Sequence, residues 1–369
     1  MRIGINALYL IPGEVGGTER YARKLVEHLS SRDEVVVFSN EEAADTWQGS
    51  ARGNPRIVRC PVRARSRPAR IAWEQTTLPR WARREGIDVL HSLGYTAPAW
   101  SPCASVVTIH DLNYHFHPED WGLVGLWANR LLVPLAARRA TRVLTISKSS
   151  ARAIHEVLGV EADVVHHGVD GNLEAPGDAG LPPGFILSVT ATHPHKNLDV
   201  LLSAYDALCS RRAAPPLVLV GIAGRDHERI REKVAGRPVV LLGWVDEARL
   251  AALYRAASMF VFASRYEGFG FPVLEAMSAG IPVVSSNATS LPELCGDAAL
   301  LQDPDDPGGF TDAMSHLLDD DMLRGSLVRR GHERVKHFTW KRAADETRAV
   351  YERAIAQTKR RSPERTASQ

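Results

Sequence analysis

Short apolar segments alternate with longer amphipathic ones along almost all of the 369-residue sequence, and few folds accommodate that alternation. The amphipathic segments of the first half predict helices at residues 18–31, 71–85, 121–139 and 149–158. The apolar segments are rich in Val and Ile and predict buried strands at residues 2–6, 34–38, 56–59, 88–91, 105–109, 142–146 and 163–165. Strands and helices in this order indicate a parallel sheet with helices on both faces.

The alternation is interrupted once, by a segment rich in Pro and Gly at residues 174–184 that reads as a linker, and then restarts. The second run predicts strands at 185–189, 217–221, 239–242, 259–263 and 282–285, and helices at 197–209, 226–234, 246–256, 272–279, 321–336 and 340–356. We therefore predict an N-terminal domain over residues 1–175 and a C-terminal domain over residues 176–338. Residues 339–356 are predicted to form a helix that packs back toward the N-terminal domain, and the polar residues 357–369 to be disordered.

The predicted architecture is α/β, with two Rossmann-like domains that face a cleft between them. Open parallel sheets bind ligands at the carboxyl ends of their strands. Functional residues are therefore expected in segments that directly follow a predicted strand.

Charge is unevenly distributed, although the formal net charge is only +2. Residues 52–84 include ten arginines and a single acidic residue, Glu74. This stretch is either a solvated surface or a patch for an anionic partner, such as a membrane surface or a phosphorylated acceptor. The apolar helix predicted at residues 121–139, with Trp121 and Trp127, is likewise either part of the core or a surface that meets a lipid-linked acceptor.

The cysteines Cys60, Cys103, Cys209 and Cys295 are far apart and form no CxxC pair, which predicts free thiols in a reducing compartment. The N-terminus lacks the pattern of a signal peptide. The longest apolar stretch, residues 123–137, is interrupted by polar residues and is too short to span a bilayer. We therefore expect a cytoplasmic protein, and peripheral contact with the inner face of the membrane stays an open alternative.

The most informative motif is EGFGFPVLE, which runs from Glu267 to Glu275 and follows a predicted strand. Gly268 and Gly270 permit tight turns, and Pro272 suits the first position of a helix. The N-terminus of that helix favours anionic groups. Glu267 can accept hydrogen bonds from sugar hydroxyls and Glu275 from a ribose, whereas the alternative is only a turn followed by an acid near a helix start.

This motif lies in a longer segment, residues 242–303, that resembles the donor-binding half of glycosyltransferase family 4 almost throughout. The similarity extends more loosely over nearly the whole chain and is to the mannosyltransferase-like branch. It implies the GT-B fold, a nucleotide-sugar donor bound mainly by the C-terminal half, and transfer with retention of anomeric configuration. By this resemblance Glu267 is a catalytic residue, and the donor-binding residues include Gly268, Phe269, Gly270 and Glu275.

The second motif, HPHKN at residues 193–197, places Lys196 between the end of a strand and the start of a helix. Its ammonium group can meet the diphosphate of the donor, so Lys196 is predicted to be catalytic.

The family usually carries an arginine with this lysine, and the two usual positions hold His195 and Ala191 here. The second phosphate contact is therefore expected from His195, Arg265 or Arg225. A metal site at His193 and His195 is the alternative, but no partner motif accompanies it.

Five further residues are assigned to the predicted site, and for three of them, Gly16, Gly17 and His110, the assignment rests on the resemblance. Gly16 and Gly17 open the first helix and match the loop whose amide groups approach the donor phosphate and the acceptor. His110 matches the histidine that contacts the sugar 6-hydroxyl and is therefore predicted to be catalytic, although a lone histidine at a strand end is otherwise more often structural. Asp111 either orients that imidazole or meets the acceptor, and Gly221, at the end of a predicted strand, is assigned to donor binding.

No isolated DxD motif follows a strand, and the aspartates at 303–306 read as a turn, so we expect neither a metal ion nor another cofactor. Lys196, backbone N–H groups and a helix terminus would then neutralise the leaving diphosphate. The resemblance implies front-face attack, with the departing phosphate as the base. The PxKN form resembles the branch that often uses GDP-mannose or other GDP- or dTDP-linked sugars.

The acceptor is expected to be a glycan, a lipid-linked glycan or a natural product, and no nucleic-acid partner is expected. Two other functions stay open. A sugar-nucleotide epimerase on the same architecture would need no acceptor. An arginine-rich protein that binds anionic surfaces would show salt-dependent binding that is indifferent to Glu267.

Overall fold

The structure, a computed structural model, describes residues 1–47, 54–170 and 177–366. It divides into two compact units, each built on one parallel sheet. Unit 1 comprises Met1–Gly168 together with Trp340–Gln369, and unit 2 comprises Val169–Thr339. The chain therefore leaves unit 1 once, forms unit 2, and returns to unit 1 for its last helix.

Unit 1 has a sheet of seven parallel strands: β1 (Arg2–Ala7), β2 (Glu34–Ser39), β3 (Arg56–Arg59), β4 (Val89–Ser92), β5 (Ala104–Thr108), β6 (Arg142–Thr145) and β7 (Ala162–Val164). The strand order is β3-β2-β1-β4-β5-β6-β7. The interior strand β1 buries five of its six residues, because helices cover both faces of the sheet.

In residues 1–168, the first segment of unit 1, the α-helices are α1 (Gly17–Leu29), α2 (Arg67–Thr76), α3 (Leu78–Arg84), α4 (Asn113–Phe116), α5 (Leu123–Arg139) and α6 (Lys148–Leu158). Along α1, the buried residues Tyr21, Leu25 and Leu29 recur every four positions and form one apolar face. The prediction of a single helix at residues 71–85 is wrong. That segment is divided between α2 and α3, because Pro79 has no N–H to continue the hydrogen-bond pattern and fits only at a helix start.

Unit 2 has a sheet of six parallel strands: β8 (Ile186–Val189), β9 (Leu217–Val220), β10 (Val239–Gly243), β11 (Met259–Phe262), β12 (Val283–Ser286) and β13 (Leu300–Gln302). Their order is β10-β9-β8-β11-β12-β13. Its helices are α7 (Leu198–Arg211), α8 (His227–Val234), α9 (Glu247–Ala256), α10 (Phe271–Ser278), α11 (Leu291–Cys295), α12 (Pro307–Asp319) and α13 (Asp321–Val335), and the returning helix of unit 1 is α14 (Trp340–Thr366).

The core of unit 2 lies between its sheet and the helices α7 and α12, which pack against each other. Leu202, Tyr205 and Leu208 of α7 and Phe310 and Met314 of α12 are all fully buried there. The prediction of two Rossmann-like α/β domains is confirmed by the two sheets and their helices.

In each sheet the first strand along the chain lies beside the fourth, so β1 pairs with β4 and β8 pairs with β11. The direction in which successive strands are added reverses at these pairs. The loops that follow the two paired strands therefore diverge and leave a crevice at the carboxyl edge of the sheet.

Three helices or strands of unit 2 were not predicted from the sequence: β13, α12 and the five-residue helix α11. β13 has only three residues, too few for a periodic pattern. Helix α12 begins with Pro307-Gly-Gly, which reads as a loop, although Pro at the first turn is also a common way to start a helix.

Two predicted boundaries are corrected by the structure. Unit 1 ends at Gly168 rather than at residue 175, since the N–H of Val169 donates to the carbonyl of Phe338 at 3.0 Å within unit 2. Of the predicted linker, residues 174–176 lie outside the described residues, and residues 177–184 pack on unit 2, where Gly184 N–H donates to Ala256 O at 2.7 Å. The tail predicted to be disordered from residue 357 continues α14 to Thr366, because extending a formed helix adds a hydrogen bond for each residue fixed.

Candidate functional site

The crevice of unit 2 lies between the loops that follow β8 and β11. The two loops are joined through the carbonyl of His195, which accepts hydrogen bonds from Arg265 N–H at 2.8 Å and Ser264 Oγ at 3.3 Å. The two strongest sequence motifs thereby lie side by side, although they are about seventy residues apart in the chain.

Lys196 and Glu267 form an ion pair in this crevice. The Nζ atom of Lys196 lies 2.7 Å from Oε1 of Glu267, and the two side chains are only 18% and 12% exposed. A charge-assisted hydrogen bond shielded from water is stronger than one at an open surface. The structure therefore brings a cation and a carboxylate together at the position where an open parallel sheet binds its ligand.

Asn197 fixes the loop that carries Lys196, and the sequence analysis did not identify it as a site residue. Its backbone is left-handed, with φ of 59°, which Asn tolerates better than most residues. Its Nδ2 group donates to the carbonyls of Ala263 at 2.9 Å and Pro304 at 2.7 Å, so one side chain joins three loops of unit 2. The only signal in the sequence is an Asn at the start of a helix, which is common at helices without a ligand.

Thr289 and Ser290 hold the loop of Glu267, and both were also missed. The Glu267 N–H donates to Thr289 Oγ1 at 3.0 Å. Ser290 Oγ lies 2.9 Å from the carbonyl of Glu267 and also donates to that of Phe269. These contacts fix the backbone on both sides of the carboxylate, so the side chain starts from a defined position.

The remaining residues of the EGFGFPVLE motif have different surroundings. Gly270 caps α10 with φ of 130°, a conformation that requires glycine. Phe269 is 4% exposed and packs edge-on against Phe271 and Phe338, so it is buried among aromatic rings rather than open to a ligand. Glu275, in the second turn of α10, is 7% exposed and accepts a hydrogen bond from Tyr254 Oη at 3.0 Å.

Gly221 lies where the loops after β8 and β9 touch. A Cβ atom added to Gly221 would lie 2.1 Å from the carbonyl oxygen of Thr190, which is far inside van der Waals contact. A Cβ atom added to Gly224 would lie 2.7 Å from the backbone of Thr192, and the Gly224 N–H donates to Thr192 Oγ1 at 2.6 Å. The two glycines therefore bring a second loop against the one that carries Lys196.

Of the residues proposed for the second phosphate contact, Arg265 is paired with Asp305, 2.5 Å away. His195 is 6% exposed, and its ring stacks on that of His193 with centroids 5.8 Å apart. Arg225 lies in the loop between β9 and α8.

In unit 1, Gly16 and Gly17 form the start of α1, and Gly16 has a positive φ of 53°. His110 lies just after β5 and is 3% exposed. Its Nε2 atom is 3.0 Å from the carbonyl of Leu93, which can only accept a hydrogen bond. Burial lowers the pKa of His110 to about 4, while this hydrogen bond acts in the opposite direction. The neutral ring therefore carries its proton on Nε2 and presents Nδ1 as an acceptor.

Asp111 does not hold this imidazole through Nε2, since that atom is bound to Leu93. Asp111 Oδ1 accepts hydrogen bonds from Tyr95 Oη at 3.2 Å and from Asn113 N–H at 3.0 Å. The centroid of the Tyr95 ring lies 5.4 Å from that of the His110 imidazole, so Tyr95 contacts both Asp111 and His110.

A buried chain of hydrogen bonds lies beside His110 and was not predicted. Tyr351 Oη on α14 is 2.6 Å from His91 Nδ1, and His91 Nε2 is 2.7 Å from Thr108 Oγ1. Thr108 Oγ1 is in turn 3.2 Å from Tyr21 Oη, and the Tyr21 ring packs edge-on against His110. Tyr351 and His91 are separated by 260 residues, so no local sequence pattern reveals the contact.

Several arginines of the arginine-rich stretch, residues 52–84, form ion pairs within unit 1. Arg52 lies outside the described residues. Four of the others form ion pairs with acidic residues from elsewhere in unit 1: Arg56 with Glu85, Arg59 with Asp45, Arg63 with Glu41 and Arg65 with Glu14. This half of the stretch fits the interpretation as a solvated surface rather than an anion-binding patch.

Within the three described ranges, no three His, Cys, Asp or Glu side chains are grouped closely enough to hold a metal ion. Nor does the described part of the chain contain a helix that is both long and apolar enough to cross a membrane.

Acid is expected to destabilise unit 1 through its buried histidines. Burial lowers the pKa of His91 to about 3 and that of His110 to about 4, from an ordinary 6.5. Above pH 6.5 the ring is neutral in both states, and below it the unfolded chain binds protons that the folded one does not. Stability should therefore fall from about pH 6.5 toward pH 4, by about 2 kcal/mol per histidine at pH 5.

Urea unfolding at pH 7 and pH 5 measures this loss. His91→Gln should shrink the difference between the two pH values, whatever it does to stability at pH 7. The control is His155→Gln, since that side chain is 63% exposed and meets water in both states. An unchanged pH difference in His91→Gln would contradict the assignment.

Comparison with known proteins identifies the family. The family model described as Glycosyltransferase Family 4 matches residues 15–172, and the one described as Glycosyl transferases group 1 matches residues 183–320. The O-antigen chain mannosyltransferase B of Escherichia coli is 33% identical over 297 residues, which cover 73% of this chain and 76% of that protein.

Two further similarities cover nearly the whole chain. The phosphatidyl-myo-inositol mannosyltransferase of Mycolicibacterium smegmatis is 27% identical over 368 residues, which cover 95% of this chain and 94% of that protein. The crystal structure of Anabaena HepE in complex with UDP and glucose superimposes with a TM-score of 0.74 at 20% identity, covering 95% of this chain and 99% of that one, which shows the same fold. With its two parallel-sheet units and both motifs in place, the chain belongs to glycosyltransferase family 4 and is a glycosyltransferase of the GT-B fold.

Proposed function

We propose that this enzyme transfers a hexose from a nucleoside-diphosphate sugar to a hydroxyl group of a glycan, a lipid-linked glycan or a natural product. GDP-mannose is the first candidate donor. Transfer retains the anomeric configuration and needs no metal ion. The observation that carries the proposal is the Lys196–Glu267 ion pair, 2.7 Å long, in the crevice of unit 2.

The ion pair suits a ligand that carries negative phosphates at one end and hydroxyl groups at the other. When the donor binds, the ammonium of Lys196 exchanges the carboxylate for the diphosphate. Glu267 is then released to accept hydrogen bonds from sugar hydroxyls. The N-terminus of α10, which begins directly after the Glu267 loop, adds partial positive charge for the same phosphates.

In the reaction, the bond between the anomeric carbon and the β-phosphate oxygen breaks while the acceptor oxygen bonds to the same carbon from the same face. The acceptor proton passes to the departing phosphate oxygen, so the nucleoside diphosphate leaves with both the electron pair and the proton. Lys196 stabilises the charge that develops on the leaving group. For His110, we propose that Nδ1 accepts a hydrogen bond from a sugar hydroxyl, because Nε2 already donates to Leu93.

The choice of mannose is supported by the two relatives named as mannosyltransferases. HepE was crystallised with UDP and glucose, so uridine nucleotides belong in the same test.

Isothermal calorimetry with GDP, UDP, dTDP and ADP and with their sugars should show one nucleotide that binds at micromolar concentration. Glu275→Gln keeps the shape of the side chain but removes its charge, and it should weaken that binding about tenfold or more. The matched control is Glu232→Gln on α8, an acidic residue of the same unit placed outside the crevice. If no nucleotide binds to the folded protein, the donor proposal fails.

With the donor thus identified, proton NMR of the product reports the anomeric configuration, and inversion would contradict the retaining mechanism. Turnover that survives EDTA supports metal independence, whereas turnover that is lost in EDTA and restored by a divalent cation would overturn it.

A further inference from the structure

Helix α5 of unit 1 is apolar on both of its faces. Its inner face packs into the core through Leu126, Val133, Ala136 and Ala137. Its outer face carries Leu123, Val124, Trp127 and Leu131, which are 76%, 80%, 65% and 70% exposed. Leu123, Trp127 and Leu131 are four residues apart, so they form one continuous ridge. A helix with apolar residues on two faces is usually covered on both, and nothing in the described part of the chain covers the outer face of α5.

All charged residues of α5 are positive, and an arginine from α2 lies against its first turn. The helix itself contains Arg130, Arg138 and Arg139 and no acidic residue. The guanidinium of Arg130 lies 5.5 Å from the centre of the Trp127 ring. The guanidinium of Arg67, on α2, lies against the first turn of α5, 2.9 Å from where a Cβ on Gly125 would stand.

Two acidic residues precede the helix, Glu119 and Asp120, in the short turn Pro118–Asp120. Glu119 lies 3.2 Å from Nδ1 of His117. Glu119 and Asp120 therefore belong to the segment before α5, whereas the charged residues of the helix itself are all arginines.

We propose that the outer face of α5 docks on an anionic lipid membrane, with Leu123, Val124, Trp127 and Leu131 inserted at the boundary between headgroups and acyl chains. An indole ring suits that boundary because it is apolar with one polar N–H. The arginines extend beside the ridge and pair with lipid phosphates, each favouring binding about fivefold. Membrane docking is independent of the donor, so it goes beyond the proposed function.

A second copy of the chain is a poorer occupant for the same surface. In a symmetric dimer the same patch meets itself, so the arginines of one α5 would approach those of the other. No carboxylate on the helix would offset that repulsion. Anionic lipids supply the missing negative charge.

The test is flotation of the full chain, without any nucleotide, on vesicles of phosphatidylcholine alone and of phosphatidylcholine with phosphatidylglycerol. Wild type should bind the anionic vesicles about tenfold or more tightly than the neutral ones and lose that binding at high salt. The double variant Leu123→Gln/Trp127→Gln should lose binding at least about tenfold, because both side chains leave the acyl boundary. Arg130→Gln should weaken binding to anionic vesicles only.

The matched controls lie in unit 2. Met322→Gln removes an apolar side chain that is 80% exposed, and Arg231→Gln removes an exposed arginine, so both should bind like wild type. Nucleotide binding should be equal in all variants, which separates a failure here from a failure of the donor site. The proposal is overturned if wild type ignores anionic vesicles, if the double variant still binds them, or if light scattering shows a dimer that the double variant dissolves.

Discussion

Glu267→Ala and Lys196→Ala should each lower turnover about a hundredfold or more, which corresponds to about 3 kcal/mol of transition-state stabilisation. Lys196 supplies the charge that neutralises the leaving phosphate, and Glu267 places the sugar. The fold should survive, because both side chains lie at the carboxyl edge of the sheet rather than in the core, as 18% and 12% exposure indicates. Steady-state kinetics with the identified donor and circular dichroism measure the two effects separately.

The two substitutions are also expected to be non-additive, since the side chains are in direct contact. Either single change leaves the partner without its counter-ion, so the double variant should lose less than the product of the two single losses. Glu267→Gln tests charge at nearly constant shape and should resemble Glu267→Ala in turnover.

Lys233→Ala is the matched control for these losses. Lys233 also pairs with a carboxylate in unit 2, Asp199 at 2.6 Å, but it lies on α8. It should keep near-normal turnover. Near-normal turnover in either Glu267→Ala or Lys196→Ala would remove the basis of the site assignment.

Gly221→Ala should destabilise unit 2 by about 3 kcal/mol or more and abolish donor binding. The new Cβ would lie 2.1 Å from the carbonyl oxygen of Thr190, and the φ of 150° at this position disfavours any side chain. The loop that follows β8 must then move away, and it carries Lys196. Urea unfolding measures the loss of stability, and nucleotide calorimetry measures the loss of the site.

Gly236→Ala separates backbone strain from this contact. Gly236 also has a positive φ, 76°, but no heavy atom lies within 4 Å of the point that a Cβ would occupy there. It should cost only about 1 kcal/mol and leave nucleotide binding intact. Equal losses of stability and of nucleotide binding in Gly221→Ala and Gly236→Ala would contradict the prediction, because they would show that the contact between the loops after β8 and β9 contributes nothing beyond backbone strain.

All strands except β13 were predicted, because burial gives most of them a short run of Val, Ile and Leu. The sequence-based prediction failed where Pro and Gly residues are typical of a loop or a linker. Helix α12 was missed because it begins with Pro307-Gly-Gly, a sequence that is typical of loops. The domain boundary after Gly168 was missed because it depends on the hydrogen bond from Val169 N–H to the carbonyl of Phe338, which is far along the chain. Composition placed that boundary at the Pro- and Gly-rich segment instead.

For the site, spacing and resemblance picked out Glu267 and Lys196 one at a time. That they touch depends on β8 lying next to β11, which is a property of the sheet order. Asn197 and Thr289 support these loops through hydrogen bonds between their side chains and distant backbone groups, which leave no recognisable pattern in the sequence. Phe269 belongs to the recognised motif, yet its surroundings are those of a core residue.

The return of the chain to unit 1 has a consequence for biosynthesis. Val350, Tyr351 and Ala354 of α14 are fully buried, so unit 1 lacks part of its interior until α14 has left the ribosome. Unit 2 is continuous in sequence and has all its residues earlier. The half that is translated first is thus completed last, and a premature stop codon near residue 340 would damage the N-terminal half while sparing the C-terminal one.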